Sequence, residues 1–575
     1  MLTTEGTYPF HQGGVSTWCD ILVQRLQAVD FTIFSILMNP FVTQKFSLPD
    51  SATLIKLPLW GTEEPSEHLP ESFSKSFLSM RKTTADIIES EFIPLFKMLV
   101  REIIAAEKDP YLLADVMLRL HLYFERYEYK KSFKSPQTWD AFKTVVLEHV
   151  ANSDKEFPRP DIYCMIQSLG WLYRFLNVLN TPFPKTDVTH ASAAAFCGIP
   201  CVLAKLKNKT PFLLTEHGVY IREQYLGLGK NQYSSFLNTF LIRLIHSVTS
   251  LNYTFADQIS PVCEYNTRWE ARFGVGRDRI KVIYNGIDSR IFKECPPRTK
   301  GRPTVVTVAR IDPLKDIVTL IKAAAAVKTK IPDVQFIVYG SVSVPAYYEE
   351  CLELRKQLQL EDTFVFAGHS AQVAAAYGSG DIVALTSISE AFPYSVVEAM
   401  MCRRAVIATD VGGIREAVGD AGVLIDPRDH DALAAGIVEL LTNAELRDTL
   451  AQEARERALR KFTVEKVLGS HLQTYRRLAA GVNEAVVVHD AVNPHAARRN
   501  KQRIMAERAF AFFANGMYSE AARHFKLAVM ADPASPAVPC LLLELAESYN
   551  QLGMFDQAFL EMEKHRALAA LIQSA

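Results

Sequence analysis

Two glutamates eight positions apart, Glu390 and Glu398 in "SEAFPYSVVEAM", are the residues whose type and spacing first suggest chemistry. Paired carboxylates suit acid and base work on a glycosidic bond. Pro393, however, is well placed for the first turn of a helix running through Val396, Val397, Ala399 and Met400. Glu390 then lies in a loop and Glu398 on the helix. Were all eight steps helical, the two would stand about 12 Å apart, against about 5 Å for the carboxylates of a retaining glycosidase. A loop can shorten that distance, but nothing in the sequence demands it. A carboxylate one or two turns into a helix can instead accept hydrogen bonds from paired hydroxyls, as the acidic residue of dinucleotide folds does from a ribose.

Other residues fit beside that reading. "ARIDPLKD" sets Arg310 and Lys315 five apart after the apolar run "TVVTVA", where two cations suit a diphosphate; a solvated loop explains them equally. Gly412 and Gly413 in "TDVGGIREA" let backbone N–H groups approach a charged or sugar group, or simply make a tight turn. The same ambiguity attends Gly13 and Gly14, a pair too short for a dinucleotide fingerprint. His217 in "LLTEHGVY" ends an apolar run beside Glu216 and Gly218, a place better suited to a cleft than to a core, although a hydrogen-bonded structural histidine fits too. "DHD" at 429–431 looks like a metal-binding pair but precedes "ALAAGIVELL", so an N-cap is the expectation, and no metal motif appears.

These residues need elements to hold them. Short apolar runs separated by helical patterns occur twice, once over about 1–65 with 181–295 and again over 296–465. Runs such as "FTIFSIL", "PFLLTEHG", "TVVTVARI" and "DIVALTS", bounded by Gly, Asp or Ser, read as strands of parallel sheets covered on both faces. The expected fold is α/β: two doubly wound domains facing a cleft, with ligands at the carboxyl ends of the strands. Residues about 66–180 read as a helical insertion, and "PPRTKGRP" at 296–303 as a hinge. The stretch 466–480 is expected as a helix returning to the N-terminal domain, with a linker over 481–504. Over 505–575, "ANGMYSEAARHF" and "NQLGMFDQAFLE" align Gly516 with Gly553, Tyr518 with Phe555 and Ala521 with Ala558, a helix-turn-helix repeat of tetratricopeptide type that is expected to lean on the rest of the chain or a partner.

Bulk properties narrow the functions. With 63 basic and 64 acidic residues there is no global field to recruit nucleic acid or a membrane surface. The nine cysteines include no C-x-x-C pair and read as small buried hydrophobes. Without a signal-like start or a run of about 18 apolar residues, the expected location is the cytoplasm. The first strand begins so near Met1 that it is expected to be short.

Taken together, Arg310-x4-Lys315, Gly412-Gly413, "YNGID" at 284–288 and Glu390-x7-Glu398 resemble glycosyltransferase family 4, retaining enzymes of the GT-B fold. The opening "TEGTYPFHQGGVSTW", "LLTEHGVYIRE" and the helical insertion are more narrowly similar to the PelF group, cytosolic glycosyltransferases of Pel exopolysaccharide biosynthesis. The resemblance covers roughly residues 1–480. It implies a hexosyltransferase without metal or cofactor, using a nucleotide sugar, a UDP-hexose such as UDP-glucose, as donor. Arg310 and Lys315 would neutralise the diphosphate, Glu398 would hold the ribose and Glu390 would lie against the donor sugar. Backbone at Gly340 and Gly368 would line the nucleotide, while Gly13, Gly14 and His217 would face the sugar and acceptor. A glycan or lipid-linked acceptor and membrane-embedded synthesis proteins are the implied partners, with the chain peripheral at the inner face of the membrane. An ADP- or GDP-sugar transferase, or a non-catalytic sugar-nucleotide scaffold acting through its repeats, are the alternatives.

Overall fold

In a computed structural model the chain is described over residues 1–60, 73–152, 157–229, 231–296, 298, 301–481, 494–533, 535 and 537–573. Two six-stranded sheets organise it, and every pairing is parallel. The first contains β1 (Leu2–Glu5), β2 (Thr32–Leu37), β3 (Thr53–Pro58), β4 (Thr189–Ala191), β5 (Phe212–Glu216) and β6 (Gln258–Pro261), in the order β3-β2-β1-β4-β5-β6. The second contains β7 (Thr304–Val308), β8 (Gln335–Tyr339), β9 (Phe364–Gly368), β10 (Ile382–Leu385), β11 (Ala405–Thr409) and β12 (Val423–Ile425), in the order β12-β11-β10-β7-β8-β9. Central strands such as "FLLTE", "IVAL" and "AVIAT" are buried throughout, as strands covered by helices on both faces must be. The expected pair of doubly wound domains is therefore present. The first strand is short, with four residues, yet it sits in mid-sheet between β2 and β4.

Strand order reverses at β1/β4 in one sheet and at β7/β10 in the other. At such a switch point the loops leaving neighbouring strands diverge to opposite faces and open a crevice at the carboxyl ends. Those loops begin at Gly6 and Ser192 in the first sheet and at Ala309 and Thr386 in the second.

Two strips of chain cross between the sheets side by side. Ile287 donates its N–H to the Phe462 carbonyl at 2.8 Å, and Val464 returns one to Ile287 at 3.1 Å. A Cβ on Gly286 would lie 2.9 Å from Val464 Cα, so "YNGID" allows the two strips to touch. The helix Val464–Ala480 then lays Tyr475 and Leu478 into a core with Leu2, Trp18, Leu22 and Leu213, on one face of the first sheet.

Between β3 and β4 the described chain is helical from Phe73 to Asn180, and its aromatic residues fuse with the other face of that sheet. Residues 61–72 and 153–156 of the expected insertion, and 297, 299 and 300 of the expected hinge, lie outside the described residues, as do 482–493 of the expected linker. The linker expectation is corrected from Pro494, where a helix runs to Ala514. Its start "PHAARRNKQR" puts proline in the first turn and strong helix formers behind it, which suits a helix as well as a linker.

Three further helices follow, Tyr518–Ala531, Val538–Gln551 and Phe555–Gln573. The aligned glycines Gly516 and Gly553 share φ +72°, and Ala521 and Ala558 are both buried. This segment rests on the N-terminal half: Phe512 lies against Gly274, Arg277 donates to Asn515 at 3.2 Å, and Arg523 pairs with Glu107 at 2.8 Å. No described helix is long and apolar enough to cross a membrane.

Candidate functional site

The loops leaving β7 and β10 meet across the second switch point. Ile388 donates its N–H to the Leu314 carbonyl at 2.9 Å, and Thr386 Oγ1 donates to the Lys315 carbonyl at 2.8 Å. That pairing sets the Lys315 ammonium against Glu390 Oε1, which Ser387 Oγ also donates to at 2.7 Å. The pair is largely shielded, with side chains 21% and 13% exposed, so its attraction is little screened. Arg310, on the same β7 loop, is exposed. Asp316, at φ +47°, ends the turn and caps the helix Ile317–Lys330, accepting from the Thr319 hydroxyl at 2.6 Å.

Glu390 and Glu398 have separate partners. Glu398, on the helix Tyr394–Met401, accepts from the Tyr377 hydroxyl at 2.8 Å. Burial pushes its carboxyl up to about 7, opposed by the Tyr377 hydrogen bond.

Around this loop the glycines are close-approach points. Gly412 adopts φ +59°, and a Cβ there would lie 1.6 Å from the Glu390 carbonyl oxygen. Gly413 donates its N–H to the Ala391 carbonyl at 2.9 Å, and a Cβ on it would lie 2.9 Å from Cys263 Cβ of the first sheet's domain. Gly340 donates to the Gly368 carbonyl at 2.9 Å, and a Cβ on it would meet the Ala309 carbonyl at 1.9 Å, so β8, β9 and the start of the Arg310 loop converge there. Asp429 accepts from the Ala432 N–H at 2.9 Å as the N-cap of the helix His430–Thr442. Among the described residues, no group of three or more His, Cys, Asp or Glu is placed to hold a metal ion.

The facing domain presents different chemistry. His217 follows β5 edge-on to Trp18, ring centroids 4.5 Å apart, and its Nε2 is buried without a partner among the described residues. Burial lowers its pKa to about 3, with a smaller push from His471. His471 and His190 flank the same indole at 5.5 and 5.2 Å. His190 shares hydrogen bonds with the Tyr475 hydroxyl and with Thr215 Oγ1, both at 2.7 Å. Desolvation keeps all three imidazoles neutral near pH 7. Behind them Glu216 accepts from the Tyr253 hydroxyl at 2.5 Å, and burial raises both its carboxyl and that of neighbouring Glu270.

Gly13 and Gly14 open the helix Gly14–Arg25 on the loop after β1. A Cβ on Gly14 would lie 3.3 Å from the Tyr394 ring of the second domain. A second contact crosses the cleft from the helix Tyr220–Leu228, where Arg222 Nη1 donates to Ser389 Oγ at 3.1 Å. Closer to the crossing strips, Glu416 accepts from the Glu264 and Tyr265 N–H groups at 2.7 and 2.6 Å.

Thus Lys315, Glu390, Gly412 and Gly413 form one cluster, with Glu398 on the helix that follows. Gly340 and Gly368 meet beside the Arg310 loop, while Gly14 reaches the cluster through Tyr394. His217 belongs to the Trp18 cluster. Sequence reasoning did not find Tyr377, Ser387, Arg222 or Tyr394. Only Tyr394 carried a signal, as the aromatic at the first turn of the helix inside "SEAFPYSVVEAM".

Residues 288–457 match the model for Glycosyl transferases group 1, and residues 1–278 match a Domain of unknown function (DUF3492). Among curated relatives, N-acetyl-alpha-D-glucosaminyl L-malate synthase of Bacillus anthracis is 26% identical over 303 residues, covering 50% of this chain and 74% of the relative. Among solved structures, the sucrose-phosphate synthase of Thermosynechococcus elongatus superposes with TM-score 0.52 at 20% identity, covering 84% of this chain and 98% of that one. Anabaena Alr3699/HepE in complex with UDP superposes with TM-score 0.51 at 16% identity, covering 83% and 99%. Two parallel six-stranded sheets and the agreement with these structures give the chain the GT-B fold, in which a region matching Glycosyl transferases group 1 follows one matching DUF3492.

Proposed function

We propose that the chain is a retaining hexosyltransferase that moves a sugar from a UDP-sugar to a growing glycan in exopolysaccharide synthesis of the Pel type. The observation that carries the reading is the Lys315–Glu390 pair over the β7/β10 switch point, with Arg310 exposed on the same loop. In this reading Arg310 and Lys315 hold the diphosphate. Glu390, fixed by Lys315 and Ser387, accepts from hydroxyls of the donor sugar, and Glu398 accepts from the ribose. Gly340 and Gly368 give the nucleotide close access to backbone, and Gly412 and Gly413 let the Glu390 loop close on the sugar. Gly13, Gly14 and His217 face the sugar and acceptor, where a neutral imidazole suits uncharged hydroxyls better than a second anion.

The sugar C1–O bond to the diphosphate breaks and a bond from the acceptor hydroxyl forms on the same face. The acceptor proton passes to an oxygen of the departing UDP. Fixed cations aimed at the growing negative charge supply the stabilisation, worth about 3 kcal/mol per well-placed donor. The solved neighbour in complex with UDP supports the choice of nucleotide as an analogy of fold. The reading includes a glycan or lipid-linked acceptor at the cytoplasmic side of a membrane, and a membrane-embedded synthesis protein docked on the C-terminal helices.

Competition calorimetry with UDP, ADP and GDP, followed by product analysis with the best donor, tests it. The reading expects UDP to bind at least tenfold tighter than the others and the product to keep the donor's anomeric configuration. Preference for ADP or GDP, or an inverted product, contradicts it.

A further inference from the structure

Tyr394 is the residue at which the two domains' glycine and glutamate motifs touch. It begins the helix that carries Glu398, and its ring lies against Gly14 at the start of the helix Gly14–Arg25. One side of the ring joins the apolar cluster of the second domain. The hydroxyl, however, is wholly buried and has no hydrogen-bond partner among the described residues. Burial above all opposes ionisation of the phenol, with a smaller push from the carboxylate of Glu398, one helical turn on along the same helix. The hydroxyl is therefore an un-ionised donor held between the domains.

Burying a hydroxyl unpaired costs stability, and a phenylalanine would fill the same space without that cost. Packing alone therefore does not explain the oxygen. It lies close to Glu398, and its helix starts four residues after Glu390, so a ligand held by those carboxylates passes within its reach.

We propose that the Tyr394 hydroxyl is a ligand-binding group that hydrogen-bonds an oxygen of the sugar nucleotide where the donor passes between Gly14 and Glu398. This rests on the donor reading above and adds a contact to it. The hydroxyl donates to a phosphate, ribose or sugar oxygen, and Gly14 is the residue small enough to leave the ring in place. The site thus discriminates for a donor with an acceptor oxygen at that point.

Tyr394→Phe removes only the oxygen and keeps the packing. Calorimetry with UDP and with UDP-glucose, beside thermal melting of the unliganded full chain, gives the test. The expected result is affinity about tenfold weaker for at least one of the two ligands, with a melting temperature equal to or above that of the wild type. Weakening for both ligands places the contact on UDP; weakening for UDP-glucose alone places it on the sugar. Affinities for both ligands within twofold of wild type overturn the proposal, whether or not the melting temperature falls. A wild-type chain that binds neither ligand overturns the donor reading itself and this contact with it, which separates the two failures.

Discussion

The carboxyl ends of the two sheets are built on opposite electrostatic plans. On the second sheet charge is paired or exposed, with Lys315 against Glu390, Arg415 against Asp410 and Arg310 exposed, Glu398 being the buried exception. On the first sheet titratable groups are buried away from opposite charge and held neutral by desolvation, as in His217, His190 and His471. Glu5 follows the same rule, raised to about 7 by burial against the hydrogen bonds from Tyr220 and Cys197. A low-dielectric wall without net charge suits a ligand rich in hydroxyls, whereas a rim of fixed cations suits a diphosphate. Under the proposed function, one fold used twice offers one surface for the anion and another for the neutral sugar.

The contrast can be broken most severely at Gly412. Gly412→Ala drives a methyl into the Glu390 carbonyl at a positive φ, so the loop must move. UDP affinity is expected to fall more than about 100-fold, measured by calorimetry. Gly516→Ala, in the C-terminal helices, with φ +72° but nothing within 4 Å of the added carbon, is the control and should cost only about 1–2 kcal/mol of stability with UDP affinity unchanged.

Next in size is Glu398→Gln, which keeps an acceptor for Tyr377 but removes the charge available to ribose hydroxyls. The expected loss is about tenfold in UDP affinity. If it leaves the dissociation constant unaltered, the ribose role of Glu398 is wrong. On the opposite wall, His217→Ala should lower donor turnover about fivefold while UDP affinity stays within about twofold. A matching loss of UDP affinity would erase the proposed division between the walls.

The smallest effect is a pH dependence. Burial gives Glu398 a higher pKa in the folded chain, about 7, than in the unfolded chain. Between its ordinary value and about 7 the folded state therefore holds the extra proton, and stability falls as pH rises through that window. The buried histidines push the other way over this range, so the readout is a difference: between pH 5 and pH 8 the melting temperature of the wild type should fall relative to that of Glu398→Gln, and an unchanged difference would contradict the burial argument.

The parallel sheets were legible because buried strands such as "FTIFSIL" and "AVIAT" leave short, mostly apolar runs without charged residues. The caps were legible too: Asp429 behaves as its position before "ALAAGIVELL" requires. The helix from Pro494 was not, because its polar composition suits a linker and a solvated helix alike. Within the site, residues on one loop could be read, but their partners could not. Ser387 is three residues from Glu390, whereas Lys315 is 75 away and Arg222 is 167 from Ser389. Such contacts depend on strand order and on how the domains face, and neither is written in local spacing. The Trp18 cluster was hidden for the same reason, since His471 comes from the helix that recrosses to the first sheet.

The central claim is that the charged wall binds the donor's diphosphate. Calorimetric titration of UDP into the wild type, Arg310→Ala and Lys315→Ala tests it most directly. The account predicts binding to the wild type and at least a tenfold loss in each variant, with heat signals that weaken as salt rises. UDP binding unchanged in both variants would contradict it.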